Sequence, residues 1–387
     1  MNKAIYICAA AVLVLTSCSN DEIVERAKEN VISFRSMVGM NTRAVNMTQS
    51  ELEAKGMYVT TFDENGDLLY PETHYELDRS VWMANPAQSW GVHDKLNFFL
   101  VSPKLSEWQT GFELTKDNKE AYVSVDEKIA SQKDYVMANV TASKTDGSVS
   151  VGLKHVLSSI EIWAKNTNEA FTYKVKGIRL CGVNTKMLFS FSEGKFEWNV
   201  MDFSPKDYEL TYLTPTTLGS EPVSVMGSAK NAILLPQTED LINKWNGTDV
   251  SDSPGTYVGK YISVLINITS KYGASVYPAG STTDNETYGW VAIPVEFIWE
   301  SGKKYVYTLD FSEGAGRVDP TDPGVSVTPD GVTDPKKGNP ILGTRIKFGL
   351  VVSTWGSAES DATLTDDIKF SVGVDSWTDD EKDAEIN

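Results

Sequence analysis

Apolar and polar residues alternate with a period of two through most of this chain, the mark of strands with one face buried and the other wet. The pattern is plain in Met57-Tyr58-Val59-Thr60-Thr61-Phe62, Leu96-Asn97-Phe98-Phe99-Leu100-Val101 and Ser158-Ser159-Ile160-Glu161-Ile162-Trp163. It recurs in Tyr261 to Ile268 and in Lys304 to Phe311. Turn-forming residues separate the runs: Asp63-Glu64-Asn65-Gly66-Asp67, Asp146-Gly147-Ser148 and Glu193-Gly194-Lys195. Thr48 to Lys55 reads as one short helix with Thr48 or Ser50 as its cap, and Thr238 to Trp245 as a second. There is no long amphipathic helix and no alternation of strands with helices. The predicted class is therefore all-β, built as sandwiches of short strands. A boundary between sandwiches is expected at Lys144 to Ser148. Residues 314–340 are too rich in Pro, Gly and Asp for a central strand and read as a linker.

The two ends of the chain resemble each other. Ile346-Lys347-Phe348-Gly349-Leu350-Val351-Val352-Ser353-Thr354-Trp355 is echoed by Ile368-Lys369-Phe370-Ser371-Val372-Gly373-Val374-Asp375-Ser376-Trp377. Ile346, Phe348, Leu350 and Val352 would share one face in the first copy, and Ile368, Phe370, Val372 and Val374 in the second. Near the N-terminus, Ile32-Ser33-Phe34 carries a shorter form of the pattern, and Thr42-Arg43-Ala44 follows it. Two readings are open. All three segments are ordinary sandwich strands, or the first is cut away and a similar strand from another copy's tail fills the groove. Four buried apolar side chains at ~1.5–3 kcal/mol each would give such a junction on the order of 6–12 kcal/mol before entropy costs.

Residues 1–17 read as an export signal, with Lys3 basic and Ala4 to Leu15 apolar but too short to cross a bilayer. The signal ends Leu15-Thr16-Ser17-Cys18, the form of a bacterial lipobox, so cleavage is expected between Ser17 and Cys18 with acylation of the Cys18 thiol. Cys8 leaves with the signal and Cys181 remains alone, so the core and not a disulfide must hold the exported fold. Of the 387 residues, 35 are Lys or Arg and 53 Asp or Glu, and the net charge of -18 argues against nucleic acid or anionic lipid as a partner. With three His in all, a His-rich metal centre is not expected. Asp63 to Asp67 lacks the terminal Glu of a calcium loop and reads as a hairpin turn. His155 reads as a strand residue with a satisfied ring. No nucleophile elbow, zinc-protease motif or phosphate loop is present, so no catalytic residue, metal or cofactor is expected. Trp82, Trp90, Trp108 and Trp245 lie near turns and suggest a rival reading, sugar binding by stacking on loop-end aromatics.

The ordered set of these segments resembles the fimbrillin family of pilus subunits. Cys18, Ile32-x-Phe34, Thr42-Arg43-Ala44, Leu96-Asn97-Phe98-Phe99 with Ser102-Pro103, and Gln132-Lys133-Asp134-Tyr135-Val136-Met137-Ala138 carry the likeness. So do Val151 to Ile160, Tyr305-Val306-Tyr307-Thr308-Leu309, Ile341-Leu342-Gly343, Ile346-Lys347-Phe348 and Trp355. The resemblance implies two tandem transthyretin-like β-sandwiches, exported as an outer-membrane lipoprotein and displayed at the cell surface. It implies a trypsin-like protease that cuts behind the first strand, with Arg43 the matching residue, Arg35 the second choice and Ala44 the new end. Ile32 and Phe34 would leave with the strand, and one of the two tail copies of a neighbouring subunit would replace them. The implied organisation is 1–17 signal, 18–43 lipidated tether and removable first strand (31–38), 44–145 N-terminal sandwich, 146–313 C-terminal sandwich, 314–345 linker and 346–387 donor extension. The implied partners are other fimbrial subunits, the protease and, before maturation, the outer membrane. Shaft, tip and anchor positions in a filament stay open, as does a host or glycan ligand. The second tail copy departs from the usual pattern and leaves open which copy is donated, or whether the two pair as a hairpin.

Overall fold

The computed structural model describes residues 30–38, 47–108, 120–192, 195–199, 205–238, 243–253, 256–282, 284–322, 324, 335–343 and 346–355. The protein is all-β, with 53% of the described residues in strands against 8% in helices, so its layers are sheets. The first strands are β1 (Ser33–Val38), β2 (Met57–Phe62), β3 (Leu68–Asp78), β4 (Val81–Ala84), β5 (Lys95–Ser102), β6 (Glu120–Ser124), β7 (Val136–Ser143) and β8 (Val149–His155). A short helix, α1 (Gln49–Lys55), precedes β2. The Thr48 hydroxyl accepts the Glu51 N–H while the Glu51 carboxylate accepts the Thr48 N–H, a reciprocal cap that fixes where the helix starts. Gly56 ends it at φ +80°, where a Cβ would collide with the His74 ring.

Seven of these strands close into a ring in the order β1-β4-β3-β2-β5-β7-β8, with β8 returning to β1. All neighbours in the ring are antiparallel except β8 and β1, which pair in parallel. Asp63 pins the β2–β3 turn, its carboxylate accepting the N–H groups of Asn65 at 2.9 Å and Asp67 at 2.8 Å. The hairpin turn expected at Asp63 to Asp67 is thus present, closed as an Asx turn. The expected boundary at Lys144 to Ser148 is corrected. That segment is the turn from β7 to β8, and β8 completes the ring by pairing with both β7 and β1. The ring encloses a core of large rings that includes Phe34, Tyr75, Trp82, Trp90 and Phe98.

The remaining strands are β9 (Ser158–Lys165), β10 (Phe171–Asn184), β11 (Lys186–Ser192), β12 (Lys195–Asn199), β13 (Pro205–Thr217), β14 (Val223–Ser224) and β15 (Ala232–Leu234). They continue with β16 (Tyr261–Ser270), β17 (Ser275–Tyr277), β18 (Gly289–Pro294), β19 (Lys303–Asp310), β20 (Arg317–Val318) and β21 (Lys347–Thr354). One sheet runs β13-β10-β16-β18-β20 with β17 on β16; a second runs β14-β9-β19-β21 with β15 on β9; a third is β12-β11-β6. A continuous apolar core spans them and reaches Phe62, Phe99, Trp108, Tyr135 and Met137 from the first part of the chain. The two parts are therefore welded by shared apolar burial.

Two further expectations change. Residues 239–242 of the expected second helix lie outside the described residues, but Lys244 beside them makes a β-bridge to Lys260, and Trp245 donates its indole N–H to the Asp249 carbonyl at 2.8 Å. The expected linker is built into the fold at both of its described ends: β20 pairs with β18, and Ala315 and Val318 bond to the carbonyls of Ile341 and Asn339. Its anchor is Asp319, fully buried, whose carboxylate accepts the Ser263 hydroxyl at 2.6 Å.

Candidate functional site

The first strand is held on both edges. Residues Phe34 to Val38 pair in parallel with Val149 to Leu153 of β8, and Ser33 and Phe34 pair antiparallel with Met83 and Trp82 of β4. Alternation puts Ile32 and Phe34 inside and Arg35 outside. The Phe34 ring meets the rings of Tyr75 at 5.2 Å and Phe98 at 5.1 Å, both edge to face. Just before it, the Ile32 N–H donates to the Gln88 carbonyl and the Trp90 N–H to the Asn30 carbonyl, each at 2.9 Å. Taking β1 out would open the edges of β4 and β8 and vacate the places of two fully buried side chains.

Chain re-enters the described fold at Met47, nine residues past the end of β1, and a buried anchor receives it there. The Met47 N–H donates to the Asp134 carboxylate at 2.7 Å, and the same oxygen lies 2.7 Å from His155 Nδ1. Asp134 and His155 are both buried, and the imidazole face is covered by the Trp355 ring, 4.2 Å away and nearly parallel. Trp355 follows directly on β21, and its N–H donates to the Gly302 carbonyl at 2.9 Å. Four remote pieces of sequence thus meet at one point: the entry to α1, the loop before β7, the end of β8 and the end of β21. An acid and a base in contact could suggest proton transfer, but the Ser102 hydroxyl beside Met47 donates to the Gly56 carbonyl at 2.9 Å. The arrangement fastens backbone. His155 has the satisfied ring expected of it. Its partner Asp134 lies within the stretch Gln132 to Ala138 that carries the likeness above, and nothing in the residue spacing announces their meeting. In the same stretch, the Gln132 side chain accepts the Ile233 N–H at 2.7 Å.

The first tail copy is a strand of its own chain. Lys347 to Thr354 pair antiparallel with Asp310 to Lys303 of β19, residue for residue. Ile346 is buried and Phe348 half-buried, but Leu350 and Val352 are exposed, so the four do not form the single buried face expected of them. The reason is that β21 lies at the end of its sheet, with no described strand on its other edge. Ser17, Cys18, Arg43, Ala44 and the second copy with Ile368, Phe370, Val372 and Val374 lie outside the described residues.

Trp82, Trp90, Trp108 and Trp245 are all buried, none more than 1% exposed, and they correct the rival reading: they pack inside and present no face to a sugar. Cys181 is also buried, and burial pushes its thiol well above the usual range, which suits a core side chain. Among the described residues no group of three His, Cys, Asp or Glu is placed to hold a metal ion.

The model of a family described as fimbrillin-like matches residues 42–329, well over half of the chain, and leaves β1 and β21 outside the match. Among solved structures, the chain is similar to a proposed cell adhesion protein from Parabacteroides distasonis, at 13% identity and a TM-score of 0.48 over 84% of this chain and 97% of that one. It is also similar to one from Bacteroides uniformis, at 12% and 0.43 over 84% and 98%. A fimbrial assembly protein from Parabacteroides distasonis matches at 12% and 0.34 over 73% and 92%. No curated protein matches the sequence.

Proposed function

Because this chain belongs to the fimbrillin-like family, we propose that it is a non-enzymatic fimbrial subunit, exported as a lipoprotein through Cys18 and assembled by exchange of its first strand. A trypsin-like protease cuts between Arg43 and Ala44 and frees β1 together with the lipid. A strand from the tail of a neighbouring subunit then fills the groove.

The observation that carries this reading is the place of β1. It is laddered on both edges and fills the ring with Ile32 and Phe34, yet it precedes the anchor at Met47. A cut between strand and anchor separates a plug from a body whose remaining strands are still paired with one another. Arg43 suits that cut better than Arg35, which lies within the β1–β8 ladder and would need the strand to open first. In this reading the second tail copy is the donor, because β21 is already committed to β19 along its whole length. Ile368-x-Phe370 repeats the spacing of Ile32-x-Phe34 and so brings the same two side chains to the vacated places.

Brief trypsin treatment of purified precursor is expected to give one early nick, with Ala44 as the new N-terminal residue, followed by a ladder of detergent-resistant oligomers. Precursor carrying Arg43→Ala is expected to stay monomeric under the same treatment. If it polymerises as readily as the parent chain, the mechanism is wrong.

A further inference from the structure

The two serines of β1 are held differently. Ser33 alternates with Ile32 and Phe34 and so faces out of the ring, where its hydroxyl meets that of Ser148 at 2.7 Å. Ser36 shares the phase of Ile32 and Phe34, which turns it inward. Its hydroxyl oxygen is buried and has no hydrogen-bond partner among the described residues. It sits across from Val151 in the β1–β8 ladder, and Val149, Val151 and Leu153 of that stretch are all buried in the apolar core of the ring. A hydroxyl taken out of water and left without a partner costs free energy that a methyl group in its place does not. The plug of the ring therefore carries a flaw at its third inward position.

We propose that Ser36 is the residue that lets β1 go: its unsatisfied hydroxyl weakens the hold of the first strand on the ring, so that a strand with an aliphatic side chain at that position displaces it. The inference rests on the strand exchange proposed above and names the residue that gives the exchange its direction. At alternate positions β1 reads Ile32, Phe34, Ser36 and Val38, and the proposed donor reads Ile368, Phe370, Val372 and Val374. The two sets differ at one place only. There the donor brings a β-branched side chain that fits a strand better than serine and has no polar atom to bury. Both strands offer the groove a main chain for the same ladders, so the ladder bonds nearly cancel between them and the difference at this position remains. A first strand with valine at position 36 would be exchanged for its equal, without gain.

Two changes of little or no volume isolate the hydroxyl. Val372→Thr keeps the shape of the donor side chain and adds a hydroxyl, while Ser36→Ala removes the hydroxyl from β1. After a brief trypsin cut, each is expected to slow growth of the detergent-resistant ladder about ten-fold. Ser371→Thr, in the opposite phase of the donor, is expected to keep the parent rate. In uncut protein carrying Arg43→Ala, Ser36→Ala is expected to raise the urea midpoint, a readout that needs no exchange. A ladder rate equal to the parent's in either cut chain overturns the inference and leaves the exchange itself in place. So does a midpoint that falls or stays where it was in the uncut Ser36→Ala chain. A parent chain that is cut at Arg43 and yet forms no ladder overturns the exchange, and this inference with it.

Discussion

Phe34 shows how much of the behaviour of a strand can rest on one side chain. Its ring fills the centre of the first barrel between Tyr75 and Phe98, and its backbone belongs to two ladders at once. Arg35, the next residue, points into solvent. Truncating a fully buried phenylalanine removes its transfer energy and leaves a cavity that packed rings cannot close, at a cost of ~3–5 kcal/mol. Truncating an exposed arginine away from any such feature changes stability by about 0.5 kcal/mol or less. Urea unfolding of uncut precursor should therefore separate Phe34→Ala from Arg35→Ala by several kcal/mol. Equal midpoints for the two would mean that the side chain of β1 is not the plug of the barrel.

Elements were legible in this sequence where their causes are local. The Thr48–Glu51 cap and Gly56 bound α1, the Asp63 turn joins β2 to β3, and alternation marks which side chains of β1 face inward. What the residues could not announce is which strand lies across from which. Period two looks the same in a plug with neighbours on both edges and in β21, which has one. The parallel pairing of β1 with β8 joins residues 115 apart, at Phe34 and Val149, and turns an expected domain boundary into a hairpin within the ring. The Asp134 anchor was hidden for the same reason, since Met47 lies 87 residues away in sequence and His155 21. Its energetic weight is predictable all the same. Asp134→Ala leaves a buried imidazole and a buried N–H without their acceptor, and breaking a buried pair on one side costs ~3–5 kcal/mol. Asp134→Asn keeps an acceptor oxygen and should cost clearly less. Thermal unfolding of the three proteins checks the order, and a loss below about 1 kcal/mol for Asp134→Ala would show that Met47 is held by other means.

For the whole molecule the deciding quantity is how one subunit finds another. Each carries a net charge of -18, which keeps precursors apart at low ionic strength, whereas the proposed donor segment 368–374 is apolar with a single charge, Lys369. If the groove left by β1 reads main-chain ladders and alternate side chains, it should accept that segment free of its subunit. A synthetic peptide of residues 366–377, added in excess as soon as trypsin has nicked the precursor, would then occupy the grooves first and hold the protein as monomers and short oligomers. The same peptide with Phe370→Asp should leave the ladder unchanged, because a carboxylate in the place of the Phe34 ring would be buried without a partner. Raising the salt should speed the uninhibited ladder, since screening within ~10 Å at 0.1 M weakens the repulsion between bodies but not the apolar contacts of the groove. A ladder that grows equally with either peptide would mean that some surface other than the vacated groove joins the subunits.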